Sequence, residues 1–274
     1  MTTGKQGPAG LWDGCLEMEK TAMRVLSAQL APFETPVRNC YEAGVQAPTL
    51  PGKRHKAKDI QLAALFLKRT LTDLRGVWLF THLGYTSQAA SVAAALYEHA
   101  LVVNYLAGSA NHAMELLRNK TGDLPWSVAQ LSKALSRQYN LEVDRWQKES
   151  RHKSDWREIY AAYKFLCKIK HPTLRSTMHD AFSAAVKDGE FVVMAAPDVR
   201  EEDLPLKATI LAISISRCYQ AVRQFAIALE CDNHSEYYKS FVGRMSSIIP
   251  DTVKAYNLLT ANKSLPFTIH DGDL

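Results

Sequence analysis

The sequence lacks the features that mark membrane and secreted proteins. It has no run of about 18 uninterrupted apolar residues, the length that a membrane-spanning helix requires. Its first residues, MTTGKQGPAGLWDG, contain no apolar segment of the kind found in signal peptides. The five cysteines form no Cys-x-x-Cys pair, which is typical of reduced thiols in a cytosolic protein. Together these absences predict a cytoplasmic protein that does not enter a membrane.

The common short motifs of enzymes are also missing. There is no Gly-x-Ser-x-Gly, no phosphate-binding P-loop and no dinucleotide-binding glycine pattern. Metal-ligand spacing is poor, because there is no His-Glu-x-x-His and the single Glu-x-x-His runs from Glu149 to His152 on a charged segment. A di-iron site in a helical bundle needs two such pairs and two more glutamates. We therefore expect neither a metal nor a cofactor.

One nuclease pattern occurs no more often than chance predicts. All-helical HEPN nucleases use an arginine and a histidine separated by four to six residues. Two pairs have this spacing, Arg75 with His82 and Arg145 with His152. A chain with this many arginines and histidines should contain about 1.5 such pairs by chance. The spacing alone therefore does not indicate a nuclease.

The composition indicates a helical domain with a substantial core. The chain has 274 residues, of which 47% are hydrophobic. The net charge of +5 permits contact with nucleic acid without requiring it. Because apolar residues recur at helical spacing, we predict an all-α bundle over residues 58–260. An N-terminal helix and an irregular, proline-rich, basic connection (1–57) precede it, and a flexible tail (261–274) follows.

Within these bounds the apolar pattern sets the individual elements. The bundle core should come from a long antiparallel helix hairpin, the helix at 156–171 and the helix at 206–230. A strand-like run at 189–194 has no partner strand in the sequence, so it is either a loop arm or pairs with another chain. The predicted helices are 11–30, 59–82, 88–107, 123–140, 156–171, 173–185, 206–230, 235–247 and 250–259, with a solvent-facing helix or lid at 142–155.

Glu98 is the single Asp, Glu, Lys or Arg between Gly76 and Met114. It lies on an apolar face of the second hairpin helix. A carboxylate there must either have a partner or have a raised pKa. Glu98 is therefore a candidate functional residue, although structural ion pairs produce the same pattern. The candidate partners, among which the sequence does not choose, are His171, Tyr163, Arg75 and Arg217.

The predicted helix 156–171 holds the densest cluster of candidate functional residues. At 3.6 residues per turn it has a polar-aromatic stripe, an aliphatic stripe and a narrow basic face, so we expect it to be mostly buried. Two interpretations remain open: a pocket in which His171 is an acid or base, or a structural stripe satisfied by internal hydrogen bonds. The polar-aromatic stripe is Trp156, Tyr160, Tyr163, Cys167 and His171, the aliphatic stripe is Ile159, Ala162, Leu166 and Ile169, and the basic face is Arg157, Ala161, Lys164 and Lys168.

A basic cluster, Lys53–Lys58, precedes the bundle. Such clusters are usually solvated surface, and the alternative interpretation is that this one holds RNA.

The order of these features resembles the bacterial domain of unknown function 5677 family. The resemblance covers roughly residues 58–175 and rests on Gly84-Tyr85, on Glu98 and on the segment from Tyr163 to the pair His171-Pro172. The family has no established activity, so the resemblance implies an all-helical fold and the location of a site. It also suggests a setting in stress response or phage defence.

Two positions depart from the family pattern. An arginine is usual one turn before the glutamate, where this chain has Ala94, and a serine is usual before the histidine, where it has Cys167. Without that arginine, Glu98 is neutralised by another residue, such as Arg217 or His171, or not at all.

These observations predict a binding or sensing module with an internal polar site. The alternative is a metal-independent endoribonuclease of the HEPN type, with His171 as acid or base, a nearby arginine stabilising the phosphorane and Lys53–Lys58 holding RNA. A third alternative is a purely structural site in a homo-oligomer. The predicted site consists of Glu98, Tyr163 and His171, with Tyr160, Cys167, Arg75, Arg217 and Lys164 as further binding residues.

Overall fold

The structure, a computed structural model, describes residues 11–139, 145–171, 177, 185–187, 190–192, 196–232 and 234–261. This part of the chain contains nine α-helices and one short β-hairpin, which confirms the predicted all-α class. The helices are α1 (Leu11–Gln29), α2 (Glu34–Gln46), α3 (Lys58–His82), α4 (Thr86–Leu106), α5 (Ala110–Arg118), α6 (Val128–Tyr139), α7 (Arg145–Lys170), α8 (Leu204–Ala228) and α9 (Glu236–Thr260), and the strands are β1 (Ala185–Lys187) and β2 (Glu190–Val192).

The most extensive helix contact is between α3 and α4. Asp59 at the start of α3 accepts from the backbone of Gly108 just beyond α4, and Asp73 bonds to His99 in the middle, so the two helices run antiparallel. Gly84 in the link has a φ of +78°, a conformation that residues with a Cβ rarely adopt. A Cβ at Gly84 would also lie 2.8 Å from the backbone nitrogen of Asp198, so the turn requires glycine.

α4 lies at the centre of the bundle, in contact with α3, α6, α7 and α8. Its buried alanines present little side-chain volume, which lets the neighbouring helices approach closely. α8 is buried along most of its length, polar residues included. Glu98 is therefore carried on the helix that the rest of the bundle surrounds, on the part that meets α7.

The predicted irregular connection before residue 58 is wrong in part, because it contains α2. Pro32 and Pro48 open two short 3-10 helices, and Pro36 lies in the first turn of α2. Proline is favoured in a first turn because its missing N–H would have no intrahelical partner there. The buried face of α2 packs on α9 and α8 and belongs to the same hydrophobic core as the bundle.

α7 and α9 are longer than the sequence predicts. α7 begins at Arg145 rather than Trp156, so it includes most of the segment predicted as a separate solvent-facing helix or lid. α9 continues through Pro250, which we predicted to open a separate helix. A proline inside a helix removes one backbone hydrogen bond. Buried residues of α9 on both sides of the proline are held by the core, and this packing overrides the local break.

The strand-like run forms β2, which pairs within the chain. β1 and β2 are antiparallel, with Ala185 opposite Val192. Almost all of the predicted helix at 173–185 and of the predicted tail lies outside the described residues. None of the described helices has both the length and the apolar character needed to cross a membrane.

Candidate ligand-binding site

The carboxylate of Glu98 is paired with the hydroxyl of Tyr163. Tyr163 Oη donates to Glu98 Oε1 at 2.6 Å, and this bond links α4 to α7. Both side chains are half-buried. The ion pairs within the described parts of the chain do not include Glu98. Of the four candidate partners, the structure therefore brings Tyr163 to the carboxylate.

The environment of Tyr163 keeps its hydroxyl protonated. Burial, the hydrogen bond with Glu98 and the neighbouring Cys167 thiol raise the pKa of Tyr163 well above its usual value. The hydroxyl is then a donor at every physiological pH, and Glu98 Oε1 is its acceptor. Glu98 Oε2 makes no hydrogen bond with the described residues. A ligand N–H can therefore use that second oxygen.

The tyrosine belongs to a row of three half-buried rings along α7. The ring centroids of Trp156 and Tyr160 are 6.4 Å apart, and those of Tyr160 and Tyr163 are 6.2 Å apart. Lys133 Nζ of α6 lies 4.8 Å from the Trp156 ring centroid, and Lys164 Nζ lies 5.4 Å from that of Tyr160. We name this set the aromatic row.

The prediction that the polar-aromatic stripe is buried is wrong, whereas the aliphatic stripe beside it faces the core. Ile159, Ala162 and Leu166 are at most 3% exposed. The aromatic row lies beside this contact, and its three rings are half-buried. The exposed basic face, including Lys164, borders the row on its other side.

His171 is not enclosed with Glu98. It follows the last residue of α7, is exposed, and its backbone N–H donates to the carbonyl of Cys167. It lies eight positions after Tyr163 in the sequence, a rise of about 12 Å along a helix. The predicted interior meeting of the imidazole and the carboxylate is therefore wrong. Helical periodicity places His171 on the same face of α7 as Tyr163. The neighbouring helices do not cover that face at the end of α7, so His171 is exposed.

Arg217 is buried against Tyr97 rather than against Glu98. Its Nη2 donates to Tyr97 Oη at 2.8 Å, and the guanidinium carbon lies 4.5 Å from the Tyr97 ring centroid. Tyr97 Oη in turn donates to the carbonyl of Ile159. This chain of bonds ties α8, α4 and α7 together. Arg217 Nε and Nη1 have no hydrogen-bond partner among the described residues.

Arg75 lies elsewhere, beside a cavity of about 370 Å³ lined by residues of α1 and α3. His82 lines the same cavity, and its Nδ1 is 2.8 Å from the carbonyl oxygen of Trp78. Burial lowers the pKa of His82, so its imidazole is neutral at pH 7. The spacing of Arg75 and His82 did not by itself indicate a nuclease, but in the structure both side chains border one cavity.

Only part of the basic cluster Lys53–Lys58 faces solvent. Arg54 donates to Asp59, which is 1% exposed, and to the carbonyl of Ala228. His55 Nε2 is 2.7 Å from the carbonyl oxygen of Leu50. Arg54 therefore holds the start of α3 against the end of α8, whereas the His55 ring bonds within the preceding turn, to Leu50 and Gly52. The exposed cations that remain are Lys53, Lys56 and Lys58.

A cavity of about 280 Å³ between α4, α5, α6 and α8 was not foreseen from the sequence. Asn104, His112 and Gln224 contribute polar groups to its lining. The His112 ring stacks on Tyr105 with centroids 3.7 Å apart. The signal that could have revealed it is the change from apolar to polar residues at the end of α4, on both sides of Gly108.

Within the described ranges, no group of three or more His, Cys, Asp or Glu side chains is placed to hold a metal ion. No protein-family model matches the chain, and searches of curated proteins and of solved structures find no match.

Proposed function

We propose that this protein is a binding module whose recognition element is the hydrogen-bonded pair of Glu98 and Tyr163. The observation that carries the proposal is the 2.6 Å bond between the two side chains at a half-buried position. Glu98 has a second acceptor oxygen and no ion pair with the described residues. A half-buried carboxylate with an oxygen left for a further donor favours a ligand that donates an N–H group.

The surroundings of the pair indicate a planar ligand. Tyr160 presents a ring next to Tyr163, and both rings are half-buried. A flat ligand can stack on these rings while its edge donates to Glu98. Because the pair joins α4 to α7, a ligand that engages Glu98 also acts on the contact between these two helices, which a sensing module requires. A role in stress response or phage defence rests on the resemblance to the 5677 family alone.

A matched pair of nucleosides tests this function. Adenosine carries an exocyclic amino group, and purine riboside differs from it by lacking that group. We expect adenosine to raise the melting temperature of the full-length protein by several degrees at saturation, and purine riboside to raise it less. Glu98→Ala should abolish the difference, whereas Glu115→Ala, which removes an exposed carboxylate on α5, should preserve it. Equal responses to both nucleosides in the wild-type protein would contradict the proposal.

The second candidate function is a metal-independent endoribonuclease, because Arg75 and His82 border one cavity. A neutral imidazole can remove the proton of a ribose 2′-hydroxyl, whose oxygen then attacks the adjacent phosphorus. The bond from phosphorus to the 5′-oxygen breaks, and this oxygen takes a proton from water and leaves as a 5′-hydroxyl. The guanidinium of Arg75 can stabilise the phosphorane. In this role His82 replaces His171, the histidine that the sequence suggests.

Incubation with end-labelled RNA distinguishes the two functions. A nuclease produces fragments that end in a 2′,3′-cyclic phosphate, and His82→Ala and Arg75→Ala should each abolish them. His171→Ala should leave cleavage unchanged. Intact RNA after incubation with the wild-type protein would remove the nuclease from consideration.

A further inference from the structure

The aromatic row and the cations beside it form a continuous strip on one side of α7. We propose that this strip binds single-stranded nucleic acid, with bases stacked on Trp156, Tyr160 and Tyr163 and phosphates held by the neighbouring lysines and arginines. The proposal names the ligand class of the binding module and rests on that function. It uses side chains that the module itself does not require, namely Trp156, Lys133 and Lys164.

The Trp156 and Tyr160 rings are only half-buried. Tyr163 packs against the hydrophobic core, whereas Trp156 and Tyr160 do not belong to it. Lys133 and Lys164 each place an ammonium group over one of these rings, at 4.8 Å and 5.4 Å from the centroids. A base that stacks on a ring takes the place of the ammonium group. The flexible lysine then contacts the phosphate of the same nucleotide, so the cation–π contact is exchanged for an ion pair.

The spacing of the rings suits successive bases. Three rings follow one another along α7 at intervals of 6.4 Å and 6.2 Å, with neighbouring planes tilted by 32° and 24°. Bases in a duplex are stacked on each other and cannot reach such rings, whereas the bases of a single strand can be separated. At the Tyr163 end, Glu98 is placed to accept from the amino group of a base.

The charge of the strip has the sign that nucleic acid requires. Of the carboxylates near it whose side chains the structure describes, Glu98 is bonded to Tyr163, and Glu158 is half-buried and has a partner of its own. An acidic peptide would be attracted by the same cations but has no planar groups for three ring faces, so we favour nucleic acid. The exposed cations on α6 and on this part of α7 are Lys133, Arg137, Arg157, Lys164, Lys168 and Lys170.

The basic cluster Lys53–Lys58 provides a matched control surface. Its lysines Lys53, Lys56 and Lys58 are as exposed as those of the strip. The cation–π contacts of the described residues do not include them. If charge alone binds nucleic acid, the two surfaces are equivalent, and if stacking is required, the strip alone binds it.

Fluorescence anisotropy of labelled twelve-nucleotide oligomers tests the proposal on the full-length protein. The probes are oligo(U), oligo(A), oligo(dT) and a duplex RNA of equal length, each at two salt concentrations. We expect the single strands to bind more tightly than the duplex. Trp156→Ala and Tyr160→Ala should each weaken single-strand binding about 5- to 150-fold, the range measured for loss of one stacked base. Trp156→Phe, which keeps a ring, should restore most of the affinity.

Charge variants give a second readout. Lys133→Ala with Lys164→Ala should make the dependence of affinity on salt less steep, by about 0.7 in the logarithmic slope for each phosphate that is no longer neutralised. Lys53→Ala with Lys56→Ala should change the affinity less than twofold. A preference of RNA over DNA, or the reverse, identifies which single strand is bound.

Three results would overturn the proposal. They are equal binding of duplex and single strand, affinity unchanged in Trp156→Ala, and a poly-glutamate peptide that competes as strongly as oligo(U) at equal charge. The nucleoside experiment is independent of all three, because it measures Glu98. Adenosine selectivity without oligomer binding would therefore leave the binding module standing and reject only this ligand class.

Discussion

Two polar clusters on α4 have the same chemistry and opposite surroundings. At the start of α4, Thr86 Oγ1 donates to the carboxylate of Asp203, the residue just before α8, at 2.5 Å. In the middle of α4, Glu98 accepts from the Tyr163 hydroxyl on α7 at 2.6 Å. Asp203 is also ion-paired with Lys207, and both side chains are fully buried. Glu98 and Tyr163 are half-buried, and Glu98 has no such cation among the described residues.

The difference separates structural polar groups from binding groups. Asp203 and its neighbours satisfy one another out of contact with water, so a ligand has neither a route to them nor a free acceptor there. Glu98 and Tyr163 are reachable, and the carboxylate keeps one oxygen for a further donor. We call the first group the closed cluster (Thr86, Asp203 and Lys207) and the second the open pair. On this view the closed cluster contributes stability and the open pair contributes recognition.

Breaking the closed cluster should produce the largest loss of stability. Lys207→Met leaves the Asp203 carboxylate buried without its cation, which should lower the free energy of unfolding by about 3–5 kcal/mol. Urea denaturation measures this directly. Lys164→Met, beside the open pair, changes an exposed side chain and should shift stability by less than about 0.5 kcal/mol. Similar effects of the two substitutions would erase the distinction between the clusters.

Removing a tyrosine hydroxyl from the buried core, and one from the open pair, should give intermediate losses of stability. Tyr97 Oη donates to the carbonyl of Ile159 and accepts from Arg217, and the residue is 1% exposed. Tyr97→Phe leaves both of these buried groups without that partner, which should lower the free energy of unfolding by about 3 kcal/mol. Tyr163→Phe should lower it by about 1 kcal/mol, because water can replace the lost donor.

The same two variants should show the opposite order in a binding assay. Tyr163→Phe alters the open pair and should change the response to adenosine, whereas Tyr97→Phe should leave it as in the wild-type protein at a temperature where both are folded. A Tyr97→Phe variant that is as stable as Tyr163→Phe would show that burial does not control the strength of these bonds.

The sequence predicted the all-α class and singled out Glu98 as a residue that needs a partner, for a simple physical reason. One carboxylate in an otherwise uncharged stretch needs a partner, and Tyr163 was among the four candidates. Periodicity also identified the aliphatic stripe correctly. It could not show how far along α7 the neighbouring helices extend, so it placed His171 inside. How deeply a face is covered depends on packing between segments distant in sequence.

The closed cluster also shows that local sequence does not reveal how deeply a residue is buried. Lys207 is one of several lysines in the chain, and nothing in its immediate sequence indicates that it is fully buried. Its burial follows from the position of α8 behind α4. The prolines before residue 58 were misleading for a related reason, since proline marks either a break or a first turn and local sequence does not decide between them.

His82 extends the comparison to a buried group that has no counter-ion within hydrogen-bonding distance among the described residues. Its substitution should have a smaller effect on stability than Lys207→Met or Tyr97→Phe. In the closed cluster, the Asp203 carboxylate is ion-paired with Lys207. His82 has the carbonyl of Trp78 instead, and burial lowers its pKa, an effect that this carbonyl and the more distant Glu34 only partly offset. In the unfolded chain the pKa of a histidine is about 6.5. As the pH falls through that value, the unfolded chain takes up a proton that the folded protein does not. The free energy of unfolding must therefore decrease as the pH decreases.

His82→Gln should remove this part of the pH dependence. The loss of unfolding free energy between pH 7.5 and pH 5.5, measured by urea denaturation, should be smaller in the variant by up to about 1.4 kcal/mol, because pH 5.5 lies about one unit below the pKa of a histidine in the unfolded chain. The remaining histidines are the same in both proteins, so their contributions cancel in the comparison. Equal losses in the two proteins would mean that His82 can be charged without a partner while buried, and pairing would then not be what separates the closed cluster from the rest of the core.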